Sequence, residues 1–223
     1  MNVLIVAAHP DDEILGCGGT IARHAAKGDV VEVVIVGEGA TSRPSVAFSE
    51  ELQALRAAAK NAALAVGSLP PRFFSLPDNR LDTMPLLEVV QKLEVVINEV
   101  RPNTVYTHHG GDLNIDHQIV HRAVITSCRP IPQSCIKRIH TFETLSSTEW
   151  STPSIGNTFI PNRYVDISDQ LSAKLNALHC YDIEMHPFPH ARSREAVEAQ
   201  ARLRGSQVGM MAAEAFQTEL DLS

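Results

Sequence analysis

Two short runs constrain this chain more than any other feature. Asn2–Ala8 (NVLIVAA) and Val30–Val36 (VVEVVIV) are apolar at almost every position. A strand with one wet face alternates apolar and polar residues. A strand that is apolar throughout has to be covered on both faces, which is the condition of a buried parallel sheet.

The segments between and after these runs can supply the cover. Leu15–Lys27 reads as a helix stopped by Gly28-Asp29, and Glu50–Val66 as a helix ended near Gly67. Leu86–Val100 has helical periodicity broken by Arg101-Pro102-Asn103. Ile115–Ser127 is helical up to the Arg129-Pro130-Ile131-Pro132 break. Arg72–Leu76, Thr104–Thr107 and Ile136–Leu145 read as the third, fourth and fifth strands. Strand and helix alternate, so the pattern predicts an α/β fold, a mostly parallel sheet with helices on both faces. Ser146–Pro161 is expected to be irregular and exposed. Asp166–Tyr181 is expected to be a helix with Ser168 as its N-cap, and Arg194–Phe216 to contain a last helix broken at Gly205 or Gly209. No repeat, low-complexity tract or linker divides the chain, so a single domain over residues 1–223 is expected.

Composition narrows the partners. The chain has 26 acidic and 19 basic residues, a net charge of −7, which argues against a nucleic-acid partner or a polybasic membrane surface. Cys17, Cys128, Cys135 and Cys180 form no CxxC pair and are expected to be reduced thiols. The first apolar run has no basic stretch before it and is too short for a signal peptide or a membrane span. The expected location is the cytoplasm. The helices over 168–181 and 194–216 carry enough apolar residues to pack on the sheet or on a second copy, so a homo-oligomer stays open.

The polar stretches follow one rule. HPDDE follows the first strand, GEGATS the second, PDNRLD the third and HHGGDLNIDH the fourth. All four fall at the carboxyl ends of parallel strands, where open α/β sheets place their ligand crevice. Gly16-Cys17-Gly18-Gly19 does not complete a dinucleotide-binding fingerprint. A pyrophosphate there would also meet Asp11, Asp12 and Glu13, charges of the wrong sign. These glycines read as a tight strand-to-helix turn with close packing.

A metal suits the same stretch. His9 and Asp12 offer a nitrogen and an oxygen ligand within one turn, and a catalytic zinc needs a third protein ligand and an open position. The third has candidates in His108, His109, Asp112, Asp116, His117 and His121. His117 and His121 share a helical face and could form a pair of their own. Each residue alone has a plainer reading: Asp11 or Asp12 as a helix cap, a lone histidine as a hydrogen-bonded core residue. Together they point to a metal-dependent hydrolase.

AHPDDE at residues 8–13, with NIDHQIVH at 114–121, resembles the two signature motifs of the LmbE/PIG-L family of zinc-dependent N-deacetylases, which act on N-acetylglucosamine-type groups. The resemblance covers most of the chain and implies a Rossmann-like fold. It implies His9, Asp12 and His117 as ligands of Zn2+, Asp11 as general base and a small N-acetylated sugar, free, nucleotide-linked or lipid-linked, as substrate. Fe2+ or another divalent ion would also suit two histidines and an aspartate. Asp116 would then hold a ligand imidazole as a supporting carboxylate. Many members carry a histidine where this chain has Asn114, and some a tyrosine where it has Asp112. Asn114 could still donate to an oxyanion but could not serve as an acid, which leaves His109 and His190 as candidate acids. Arg56, Asp78, Asn79, Arg80 and Trp150 are the candidate substrate-holding residues, with Glu143 a further crevice carboxylate. The competing readings are an amidase for a larger amide conjugate, a non-catalytic sugar-nucleotide binder and a structural α/β subunit.

Overall fold

The computed structural model describes residues 1–39, 48–154 and 156–222. Five strands, β1 (Asn2–Ala7), β2 (Val30–Gly37), β3 (Arg72–Leu76), β4 (Thr104–His108) and β5 (Arg138–Phe142), run parallel. Helices α1 (Asp12–Ala26), α2 (Phe48–Val66), α3 (Leu86–Val100) and α4 (Ile115–Ser127) connect the first four strands and lead to the fifth. Two more strands, β6 (Arg163–Asp166) and β7 (Ala213–Asp221), and two more helices, α5 (Leu171–His179) and α6 (Arg194–Ser206), complete the fold. The sheet has seven strands in the order β3-β2-β1-β4-β5-β7-β6, with β7 antiparallel to both neighbours. Among the described residues no helix is long and apolar enough to cross a membrane.

The first apolar run explains the layers. Val3 and Ile5 point to one face, where Ile14 and Ile21 of α1, Ala59 and Ala62 of α2 and Leu178 of α5 pack. Leu4 and Val6 point to the other, under Val89 and Leu93 of α3 and Val120 and Val124 of α4. The chain winds from β1 outward to β3 and then returns to β4 on the other side of β1. This reversal opens a crevice beyond the carboxyl ends of β1 and β4.

The start of α1 is shaped by close packing. A Cβ at Gly16 would stand 2.2 Å from the Phe142 ring, and one at Gly19 within 2.9 Å of three Ile167 carbons. The helix breaks at Cys17 (φ −148°, ψ 24°). A buried ion pair fills the break: Glu214 accepts from the Gly19 and Thr20 amides at 2.9 and 2.6 Å. Lys174 donates to Glu214 at 2.6 Å and to the Leu15 carbonyl at 2.8 Å.

The sequence reading needs correction after residue 135. The fifth strand covers only Arg138–Phe142. The helix expected over Asp166–Tyr181 is a strand end followed by α5. Ser168 does not cap that helix; its backbone N–H donates to Asp166 Oδ1 in a turn. The expected last helix is α6, which ends at Ser206 next to Gly205, but the residues from Ala213 on form strand β7. AEAFQTEL is built from good helix formers, but its place between β5 and β6 overrides that preference. Of GEGATS after β2, residues 40–42 lie outside the described residues.

Candidate active site and metal centre

The HPDDE stretch turns sharply at Asp11, which has φ 114°, a left-handed value that a side chain rarely adopts. Glu13 holds the turn. Its Oε2 accepts the Asp11 N–H at 3.1 Å, and its Oε1 accepts the Tyr181 hydroxyl at 2.6 Å. Burial pushes the Glu13 carboxyl up to about 7, against the pull of these donors. The Asp11 carbonyl accepts the amides of Ile14 and Leu15 in the first turn of the helix. The peptide at 11 thus sends the Asp11 and Asp12 side chains into the crevice.

His9, Asp12 and His117 bring their ligand atoms within 4.8 Å of one another. Asp12 Oδ2 stands 3.4 Å from His9 Nδ1 and 3.3 Å from His117 Nε2. A tetrahedral ion bound at about 2.1 Å keeps its ligand atoms about 3.4 Å apart. The donor set, two imidazoles and one carboxylate, is that of an open catalytic site, so residues and spacing fit a divalent cation.

Carboxylates behind the histidines aim them. His117 Nδ1 lies 3.1 Å from Asp112 Oδ1. Asp112 also accepts the Asn114 N–H, Thr148 Oγ1 at 2.6 Å and Ser147 Oγ. Burial would raise its carboxyl, but His117 and the two hydroxyls bring it down to about 2. His9 Nε2 faces Asp116 Oδ2 at 3.1 Å and Asp78 Oδ1 at 3.0 Å. Asp116 is fixed in turn by the Asn79 and Leu81 amides. The supporting carboxylate expected at Asp116 therefore serves His9, and Asp112 serves His117. Burial opposes charge on His117, but Asp12 and Asp112 raise it to about 9. His108 is excluded as a ligand by its own bonding: Nε2 accepts the Ala8 N–H at 2.9 Å. Burial, then the charge of His117, holds His108 well below the usual histidine range.

A cavity of about 160 Å³ opens over this cluster, lined by His9, Asp11, Asp12 and His117 and also by Asp78, Asn79, Asn114, Glu184 and Arg192. Asp11 Oδ2 accepts from Arg192 at 3.2 Å. Burial, then the neighbouring Asp12, pushes the Asp11 carboxyl well above the usual range, with Arg192 opposing. Asn114 caps α4, its Oδ1 accepting the Asp116 N–H at 2.8 Å and its Nδ2 donating to Asn79 Oδ1 at 3.1 Å.

Other candidates lie elsewhere. His109 Nε2 donates to the Asn157 carbonyl at 2.9 Å and does not line the cavity. His121 donates from Nδ1 to the His108 carbonyl, so it does not pair with His117. Arg56 bonds Ser75 and lies over the Phe73 ring, and Arg80 is exposed at the turn before Leu81. Glu143 forms a two-pronged pair with Arg204 under a different part of the surface. His190 uses Nδ1 to accept the Arg192 N–H and meets Trp150 edge-on at 5.8 Å. Neither lines the cavity, yet Trp150 ends the turn that begins at Ser147, and His190 lies two residues before Arg192. Arg192 and Glu184 escaped the sequence reading. The signal was there in PFPHARS, where the histidine drew attention from the arginine two places on.

Fold and centre together define a class: a doubly wound α/β protein with a His/Asp cluster that could hold a metal ion at its topological switch point. The family model described as "PIG-L: GlcNAc-PI de-N-acetylase" matches residues 4–128, and the chain belongs to this family. It is 28% identical over 183 residues to the uncharacterized deacetylase YaiS of Escherichia coli K12, covering 79% of this chain and 88% of that one. Among solved structures it resembles N,N'-diacetylchitobiose deacetylase from Pyrococcus horikoshii, with a TM-score of 0.79 at 22% identity, over 98% of this chain and 84% of that one. It resembles equally well GalB, the 4-carboxy-2-hydroxymuconate hydratase of Pseudomonas putida, with a TM-score of 0.78 at 20% identity, over 100% and 97% of the two chains. The scaffold alone therefore does not decide between hydrolysis and hydration.

Proposed function

We propose that this protein is a metal-dependent N-deacetylase that hydrolyses the acetamide of an N-acetylated amino sugar or sugar conjugate. The observation that carries the reading is a carboxylate, Asp11, set between two members of a three-ligand cluster and facing the same cavity. Family membership supports the reaction class.

His9, Asp12 and His117 would hold the ion, with zinc the first expectation and Fe2+ also suited to the donor set. When bound, a divalent cation acidifies water and polarises an amide carbonyl. Asp11 does the proton work. Its Oδ2 is engaged by Arg192, while its Oδ1 has no partner among the described residues and is the atom that takes the proton from water. The same oxygen returns it to the departing amine. Arg192 keeps the carboxylate turned toward the cavity. Asn114 uses its Oδ1 on the cap and one Nδ2 N–H on Asn79, which leaves the second N–H to donate to the developing oxyanion. Asp78 and Asn79 line the cavity where sugar hydroxyls would be met. Trp150 and His190 form an outer rim against the part of the substrate beyond the acetamido ring. Arg56, Arg80 and His109 have no contact role in this reading.

The test is product analysis. Zinc-loaded protein is given a panel of N-acetylglucosamine derivatives, and acetate release is compared with that of Asp11→Asn. Acetate from the wild type alone supports the reading. Equal background rates from both proteins would overturn it, and addition of water to a separately supplied unsaturated acid, without acetate release from the panel, would replace it with the hydratase alternative.

A further inference from the structure

A second cavity, of about 220 Å³, shares no lining residue with the first. It opens between the C-terminal half of α1 (Thr20, Arg23, His24, then Lys27), Tyr106 of β4, β6 and Met210. Three cations line it: Arg23, Lys27 and Arg163. None is within ion-pair distance of a carboxylate among the described residues. This is unusual for an acidic chain whose other arginines are largely paired, as Arg72 is with Glu32 and Glu99, Arg192 with Asp11 and Arg204 with Glu143.

Two acids stand near. Asp166 lines the cavity, its Oδ1 accepting from Ser168 and its backbone carbonyl accepting from Arg23 at 2.5 Å, while Asp29 binds the terminal amine and His24, each at 2.7 Å. Two buried polar atoms are left over, Thr20 Oγ1 and Arg163 Nε. Thr20 is only 1% exposed. Buried donors of this kind ordinarily find a partner. The His24 and Tyr106 rings close the inner wall, joined by a 3.2 Å contact between Nε2 and the hydroxyl. Burial first, and then Lys27 and Arg163, lower His24. Arg23 and Lys27 alone would read as cations favoured at a helix C-terminus. That account leaves out Arg163 on β6, the unpartnered threonine and the void itself.

We propose that this cavity binds the phosphate group of a small metabolite, with Arg163, Lys27 and Arg23 supplying the charge and the donors. A tetrahedral dianion satisfies several cationic donors at once and matches the fork of a guanidinium. None of these residues belongs to the proposed deacetylase machinery, so the inference stands apart from that reading.

Calorimetric titration of the zinc-loaded protein tests it, with inorganic phosphate in one arm and glucose 6-phosphate in the other, at constant ionic strength set by chloride. The expected result is saturable 1:1 binding of at least one probe, weakened about tenfold or more in Arg163→Gln and in Lys27→Gln. Tighter binding of the sugar phosphate identifies a phosphomonoester as ligand, and tighter binding of inorganic phosphate identifies the free ion. Lys27 is exposed, so its variant decides the matter if Arg163→Gln fails to fold. Absence of saturable binding overturns the proposal. So does binding of undiminished strength in Lys27→Gln, which would put the phosphate elsewhere, at the metal centre for instance.

Discussion

Asp11 shows how one residue can be costly to the fold and useful to a site. A non-glycine residue in left-handed backbone costs on the order of 1–3 kcal/mol and persists only where its surroundings hold it. Here Glu13 and the helix amides do so. If the strain serves proton transfer, Asp11→Asn keeps the fold and the metal but lowers kcat by about 10²- to 10⁴-fold. His117→Ala behaves differently, losing bound zinc as well as activity. Metal analysis beside steady-state kinetics separates the two, and metal loss in Asp11→Asn would argue that Asp11 is a ligand. Trp150 is 52% exposed and backed by His190, as expected of a stacking surface. Trp150→Ala is expected to raise KM for a disaccharide substrate about three- to tenfold, with kcat and the monosaccharide KM nearly unchanged. As the chain's only tryptophan, it also offers a fluorescence change on disaccharide binding. An unaltered KM together with silent fluorescence would remove it from the substrate path.

At the scale of elements, α1 depends on partners distant in sequence. Its break at Cys17 exposes amides and a carbonyl that would otherwise bond within the helix, and Lys174 of α5 with Glu214 of β7 takes them up. Lys174→Met leaves Glu214 as an uncompensated buried charge and should cost about 3–5 kcal/mol. The double variant Lys174→Met/Glu214→Gln should recover part of that loss. Urea unfolding of the wild type, the two single variants Lys174→Met and Glu214→Gln, and the double variant measures the coupling, and additive losses would mean that the pair is not one unit. This dependence also marks what the sequence could disclose. β1 to β4 and α1 to α4 were legible because each carries its own pattern: apolar runs, helical periodicity and Gly or Pro stops. HPDDE was legible as a polar turn that faces the crevice, because a run of carboxylates at a strand end has few structural uses. β7 was not legible, since AEAFQTEL has the composition of a helix and becomes a strand only when β5 and β6 are already beside it. Arg192 was hidden for a related reason: a long side chain 181 residues from Asp11 announces its partner only in the folded chain.

At the scale of the whole molecule, the parallel sheet makes the crevice, and the antiparallel β7 seals the sheet beyond β5. Sealing buries His140. Its Nδ1 lies 3.2 Å from Thr218 Oγ1 of β7, its ring is near Tyr106 and Phe216, and its Nε2 has no partner among the described residues. Burial first, then Arg163, lowers its pKa to about 3. An unfolded histidine titrates near 6.5, so between about 6.5 and 3 the unfolded chain takes up a proton that the folded one refuses. The stability tied to His140 is therefore complete above about pH 6.5 and drains away as pH falls toward 3. His140→Gln keeps a polar group for Thr218 and cannot take up the proton. Between about pH 7.5 and pH 5 the urea midpoint of the wild type should fall more than that of the variant, because only the wild type has this proton to gain on unfolding. Other titrating groups, those of the metal centre included, act on both proteins alike and cancel in the comparison. Equal losses would mean that the pocket under β7 admits the charged ring, and that β7 opens more readily than its pairing with β5 and β6 implies.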